Sequence, residues 1–142
     1  MTLENLLGKA LETIQKDAAH VSRLLAAAKR SLADAKLAQM SSEGRFDMAY
    51  KAIMQASNAA LQASGFRTLT SKPGHHVTMI QTLPITIGLD RPFMITLDAL
   101  RKARNLSDYS GDPVSEAMAS EAVAHAQRLL AEVEAWLKHE DL

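Results

Sequence analysis

Apolar residues recur at helical spacing along most of the chain. Leu3, Leu6, Leu7, Leu11 and Ile14 fall three or four apart in a stretch without Pro, so a first amphipathic helix is expected there. Asp17 restarts the pattern with Val21, Leu24, Leu25, Ala28, Leu32 and Ala35. Nothing in Asp17-Ala18-Ala19 breaks the backbone strongly, so the first 39 residues fit one long helix or two shorter ones. Ser41-Ser42-Glu43-Gly44 ends this region. A helix from about Arg45 to Ala63 follows, burying Phe46, Tyr50, Ile53, Met54, Ser57, Ala60 and Leu61, with Ser64-Gly65 as its C-terminal cap.

Residues 66–92 are the least regular. Phe66 to Gly74 reads as a loop, His75 to Thr82 as a short helix stopped near Pro84, and Ile85 to Arg91 as a second connection. A helix from about Pro92 to Ser107 carries Phe93, Leu97 and Leu100 on one face, and Tyr109-Ser110-Gly111 closes it. Asp112-Pro113 is a start signal, an acceptor side chain followed by Pro at the first helical position. The last helix runs to about Leu137 on Val114, Met118, Ala122, Leu129, Val133 and Trp136. No repeat or low-complexity tract interrupts the series. The expected fold is all-α: an up-and-down antiparallel bundle of four to five main helices, with residues 1–17 as a helical extension of a core over 18–138.

Composition supports that class. Aromatic residues make up 4% and methionine occurs 7 times, in a chain where Ala and Leu dominate; strands want aromatic and β-branched residues, helices want Ala and Leu. A chain of 142 residues is the size of one domain and needs neither metal nor disulfide to fold. With 0 cysteines, disulfide frameworks, thiolate zinc sites and cysteine nucleophiles are excluded. The sequence has no membrane-length apolar run and no signal-like N-terminus, so a cytoplasmic protein away from membranes is expected.

Charge changes the picture only when it is located. The formal net charge of +0 argues against a globally basic nucleic-acid binder. Residues 65–111, however, hold six Lys or Arg against three Asp or Glu, while residues 112–142 hold two against seven. This is either an ordinary set of solvated faces or a basic groove for phosphates built from Arg67, Lys72, Arg101, Lys102 and Arg104. Within it, Arg101, Arg104 and Asp108 share a helix face and can pair. Arginine also suits a bidentate grip on phosphate.

Other chemistry is thinly represented. His75 and His76 are adjacent, so on a helix they point about 100° apart and cannot share a metal as an i, i+4 pair would. With Lys72 and Gly74 they form either an anion site or one packed and one exposed side chain. His125 sits on an apolar stripe, where an interior or interface histidine is expected. No Glu-x-x-His pair, Walker motif, dinucleotide fingerprint or serine-nucleophile pattern occurs. Neither metal nor cofactor is expected.

The most distinctive stretch is Arg101-Lys102-Ala103-Arg104-Asn105-Leu106-Ser107-Asp108-Tyr109. It resembles the Arg-Asn-x-x-x-His or Arg-Asn-x-x-x-Tyr segment in the penultimate helix of HEPN domains (higher eukaryotes and prokaryotes nucleotide-binding). Arg45-Phe46-Asp47-Met48-Ala49-Tyr50, Gly65-Phe66-Arg67 and Gly74-His75-His76 are similar to other parts of that family, and the likeness covers about residues 18 to 138. The resemblance implies a dimeric helical bundle and RNA or nucleotide binding, often within toxin–antitoxin or defence modules. It places Arg104 at the family's arginine, Asn105 at the polar residue after it, and Tyr109 where ribonuclease members carry a catalytic histidine. A tyrosine, with an ordinary pKa of about 10, is a poor base at neutral pH. The resemblance therefore implies binding by Arg101, Lys102, Arg104, Asn105, Arg67, Lys72, His75 and His76 with weak or no cleavage. The alternatives are a protein-interaction bundle, such as the partner of a minimal nucleotidyltransferase or antitoxin, and a metal-independent endoribonuclease using Arg104 and Tyr109.

Overall fold

A computed structural model describes residues 2–71 and 73–139. Four long helices dominate: α1 (Ala18–Ala35), α2 (Ser42–Ala63), α5 (Arg91–Ser110) and α6 (Glu116–Lys138). Two short ones, α3 (His75–Gln81) and α4 (Leu83–Thr86), lie between α2 and α5. The expected all-α bundle is what forms. Helix α2 is central, packing on α1 and α6 and touching α3, α4 and α5.

Small residues explain that position. Ala49, Ala52, Ala56, Ala59, Ala60 and Ala63 of α2 are all buried, as are Ala28 and Ala35 of α1 and Ala119, Ala122 and Ala126 of α6. Larger side chains fill the layers between them: Phe46 and Ile53 from α2, Ile80 from α3, Phe93 and Leu97 from α5, Leu129 and Val133 from α6. Side-chain caps start the long helices. Asp17 accepts from the His20 N–H, Ser41 from Gly44, Asp90 from Phe93 and Ser115 from Met118.

Two expectations are corrected. Residues 1–17 do not supply a helical extension: from Thr2 onward a single turn of 3-10 helix at Glu4–Leu6 leads to a strand, β1 (Leu11–Thr13). β1 pairs antiparallel with β2 (Phe66–Thr68), part of the segment expected to be a loop, in the register Leu11 to Thr68, Glu12 to Arg67 and Thr13 to Phe66. The leucine spacing served a different end, since Leu3 and Leu11 pack with Leu61 and Phe66 in a small cluster of their own. Gly65, at φ +92°, makes the turn from α2 into β2, a conformation side-chain-bearing residues rarely adopt. The second correction concerns Asp112-Pro113, which lies in the connection before α6. Ser115 provides the cap, and the Asp112 carbonyl accepts from the Ser107 hydroxyl at 2.7 Å. No helix among the described residues is long and apolar enough to cross a membrane.

Leu11 is wholly buried although its strand is only three residues long. Leu11→Ala is therefore expected to lower unfolding stability by about 2–5 kcal/mol in urea titrations. Leu37→Ala, at a half-exposed site after α1, should stay within about 0.5 kcal/mol of the parent.

Candidate functional site

Arg104 leaves α5 about four turns from its start and crosses to α2. Its guanidinium carbon lies 4.9 Å from the centre of the Tyr50 ring, a cation–π distance. Its Nε is 3.5 Å from the Asp47 carboxylate, close enough for an ion pair but not aligned for a hydrogen bond, and that Nε is buried without an acceptor. Tyr50 is itself buried, and its hydroxyl meets Nδ1 of His76 at 3.1 Å. Three elements thus meet: α2 contributes Asp47 and Tyr50, α3 His76 and α5 Arg104.

These residues border a groove of about 410 Å³, which Met48, Lys51, Met54, Gln55, Asn58 and Met79 also line. Its size is in the range of small-molecule sites. Beside it, His75, His76, Gly74, Val77, Arg101 and Asn105 line a second depression of about 340 Å³, so His76 borders both.

The surroundings set the titration of the two central groups. Burial disfavours the charged form of His76 and lowers its pKa below the ordinary 6.5, and the neighbouring His75, Arg104 and Arg101 push in the same direction. Burial raises the Tyr50 pKa, while the Arg104 and Arg101 charges pull it back and Asp98 raises it further. At neutral pH the cleft therefore presents a cationic arginine, a neutral imidazole and a protonated phenol.

The structure brings together Arg104, His75, His76, Arg101 and Asn105 of the residues named from the sequence. It does not build a groove of unpaired cations. Arg67 is held by Glu12 across the two-stranded sheet. Asp98 takes Arg101 at 2.8 Å and Lys102 at 3.6 Å, and Lys102 is largely exposed. Arg104 pairs with Asp47 and not with Asp108. Lys72 lies outside the described residues. Tyr109 is 97% exposed and lines neither depression. The histidine rings of His75 and His76 stand edge to face with centroids 4.8 Å apart. His125 is half-buried against Phe93, its ring 5.8 Å away.

Sequence reading missed most of the α2 wall. Tyr50 and Met54 are buried as their spacing predicts and border the groove as well, Asp47 enters the sequence reading only within the segment similar to the family, and Lys51, Gln55 and Asn58 have no role there. One signal was available. Gln55 and Asn58 are amides in the middle of an Ala-rich helix with an otherwise buried face, where a polar side chain needs a reason.

A lowered His76 pKa has a testable sign. The unfolded chain takes up the proton more readily than the folded one, so the stability held by neutral His76 is complete above about pH 6.5 and is lost as pH falls below it. Thermal melts between pH 7.5 and pH 5 should show a smaller acid-side loss for His76→Gln than for the parent chain. Equal loss in both would remove His76 as its source.

Comparison with known proteins agrees with this architecture. No curated protein and no solved structure matches the chain. A family model, HEPN domain, matches residues 21–136, which takes in α2 through α5 and nearly all of α1 and α6. The matched span contains every residue of the Arg104 cleft, and the chain belongs to the HEPN domain family.

Proposed function

We propose that this HEPN domain binds the phosphate of a nucleotide or RNA strand at Arg104, with little or no ribonuclease activity, as part of a toxin–antitoxin or defence-type module. The observation that carries this reading is the Arg104 guanidinium, held on the Tyr50 ring at the mouth of a groove with one buried N–H lacking an acceptor. A phosphate oxygen meets the exposed part of the guanidinium and replaces Asp47 as counter-ion. The Arg104–Asp47 pair is partly exposed, so exchanging one anion for another costs little. Arg101, Asn105, His75 and His76 extend the polar surface along the neighbouring depression.

Weak cleavage is inferred from Tyr109, which stands where ribonuclease members of the family carry a histidine and is a poor base at neutral pH. Tyr109 is solvent-exposed and does not line the Arg104 groove. A homodimer is supported by the outer face of α5, where Ile95, Leu106 and Tyr109 are exposed at 62%, 68% and 97% and, about three helical turns and then one turn apart, fall on one side of the helix. Such a stripe equally suits a cognate nucleotidyltransferase or antitoxin.

A short single-stranded RNA should bind at low salt, with log affinity falling linearly as log salt rises. Arg104→Ala should weaken binding about tenfold or more in fluorescence-anisotropy titrations. Affinity unchanged by that substitution would place binding elsewhere, and no affinity at low salt would leave the protein-interaction reading. RNA cleavage that Arg104→Ala abolishes and Tyr109→His increases would identify an endoribonuclease.

A further inference from the structure

The groove extends well past Arg104 along α2, and its lining there has one chemical character. Met48 and Met54 from α2 and Met79 from α3 supply polarizable thioethers. The polar residues between them are Lys51, Gln55 and Asn58. Both amides have their carbonyl oxygens engaged by the protein. Gln55 Oε1 accepts from the Ser31 hydroxyl at 2.8 Å, and Asn58 Oδ1 accepts from Gln62 Nε2 at 3.2 Å. Each therefore presents its NH2 group, and among the described residues neither nitrogen meets a protein acceptor. Lys51 and Arg104 add only donors. Apart from Asp47, which Arg104 occupies, this wall asks for acceptors.

The fitting ligand has a flat apolar body, an edge rich in acceptors and an anionic end. We propose that the Met48–Met54–Met79 groove is a subsite for one unpaired nucleobase, and that Gln55 and Asn58 select guanine or uracil by the keto oxygen each carries, O6 or O4, where adenine and cytosine carry an amino group. The inference rests on the phosphate-binding reading of Arg104. Gln55 and Asn58 lie five and eight residues beyond Tyr50, about 7 and 12 Å along the helix at 1.5 Å per residue. That separation matches the reach from phosphate to base edge within one extended nucleotide. The two amides are three residues apart and so are neighbours on one helix face. Guanine O6 and N7, or the two uracil carbonyls, meet such a pair of donors. On the same edge adenine carries a 6-amino donor in place of guanine O6, and cytosine a 4-amino donor in place of uracil O4, so each sets donor against donor there. Bases in a duplex have their edges committed, so the ligand is single-stranded or a free mononucleotide.

The test is calorimetric titration of the full chain with UMP, GMP, AMP, CMP and ribose 5-phosphate. UMP and GMP should bind about tenfold tighter than ribose 5-phosphate, a difference of about 1.4 kcal/mol, and tighter than AMP or CMP. Asn58→Leu and Met79→Ala, checked for an unchanged melt, should erase that advantage and leave ribose 5-phosphate affinity in place. Arg104→Ala should weaken all five. If ribose 5-phosphate binds as tightly as UMP and remains sensitive to Arg104→Ala, the base subsite is overturned while the phosphate reading stands. Equal affinity for all four nucleotides overturns the keto selection. An advantage that survives both groove variants overturns its location, and absence of binding by every compound overturns both readings.

Discussion

Everything in this fold depends on how closely other helices can approach α2. Six alanines on its buried faces have no side chain beyond Cβ, so the α1 and α6 backbones come near, and the aliphatic layers pack around that contact. Larger residues at those positions would force the neighbours apart or strain their rotamers. Two sides of α2 are consumed in this way. The remaining side carries Asp47, Tyr50, Lys51, Met54, Gln55 and Asn58, and it faces the short α3 and one stretch of α5, with Gln55 also bonded to Ser31 of α1. A groove persists there because a seven-residue helix cannot cover the flank of a twenty-two-residue one.

The same arrangement determines how charge is used. Arg67, Arg101 and Arg104 each stand beside a carboxylate within the chain, so the positive middle of the sequence is not a free positive field. What differs among them is geometry. Asp98 is buried and bound to Arg101 at 2.8 Å, an arrangement costly to disturb on either side. Asp47 is half-exposed, and it faces Arg104 at a longer distance without a hydrogen bond. Only the second pair is loose enough to exchange its anion. Tyr50 meanwhile fixes the guanidinium by its ring, so Arg104 need not be reordered when the carboxylate leaves.

The long helices were legible because each sums many periodic positions and carries its own cap, as with Asp17 before α1 and Gly65 after α2. The first segment was misread for a physical reason. Leucines at helical spacing also satisfy a turn followed by a strand, and β1 is chosen by its pairing with β2, with Glu12 opposite Arg67 far along the chain. No local window contains that interaction. Asp112-Pro113 misled in a smaller way, being a sound helix start displaced by Ser115 three residues later. At the site, the arginine segment was legible as a motif, whereas its counterpart on α2 was not. Tyr50 becomes part of a cleft only when α3 and α5 have docked, and until then its spacing marks it as core.

The position of Tyr109 separates two tasks that the motif places side by side. Five residues rotate a helix by about 140° beyond a full turn, so Tyr109 and Arg104 leave α5 in different directions. Arg104 turns inward onto Tyr50, while Tyr109 stands free in solvent. Leu106, three residues before Tyr109 and 68% exposed, adds apolar surface beside it. Within a single chain the proton-active neighbours of Arg104 are His76 and Tyr50. Burial favours the uncharged form of both, so the charge that holds an anion in this cleft comes from Arg104 and not from His76.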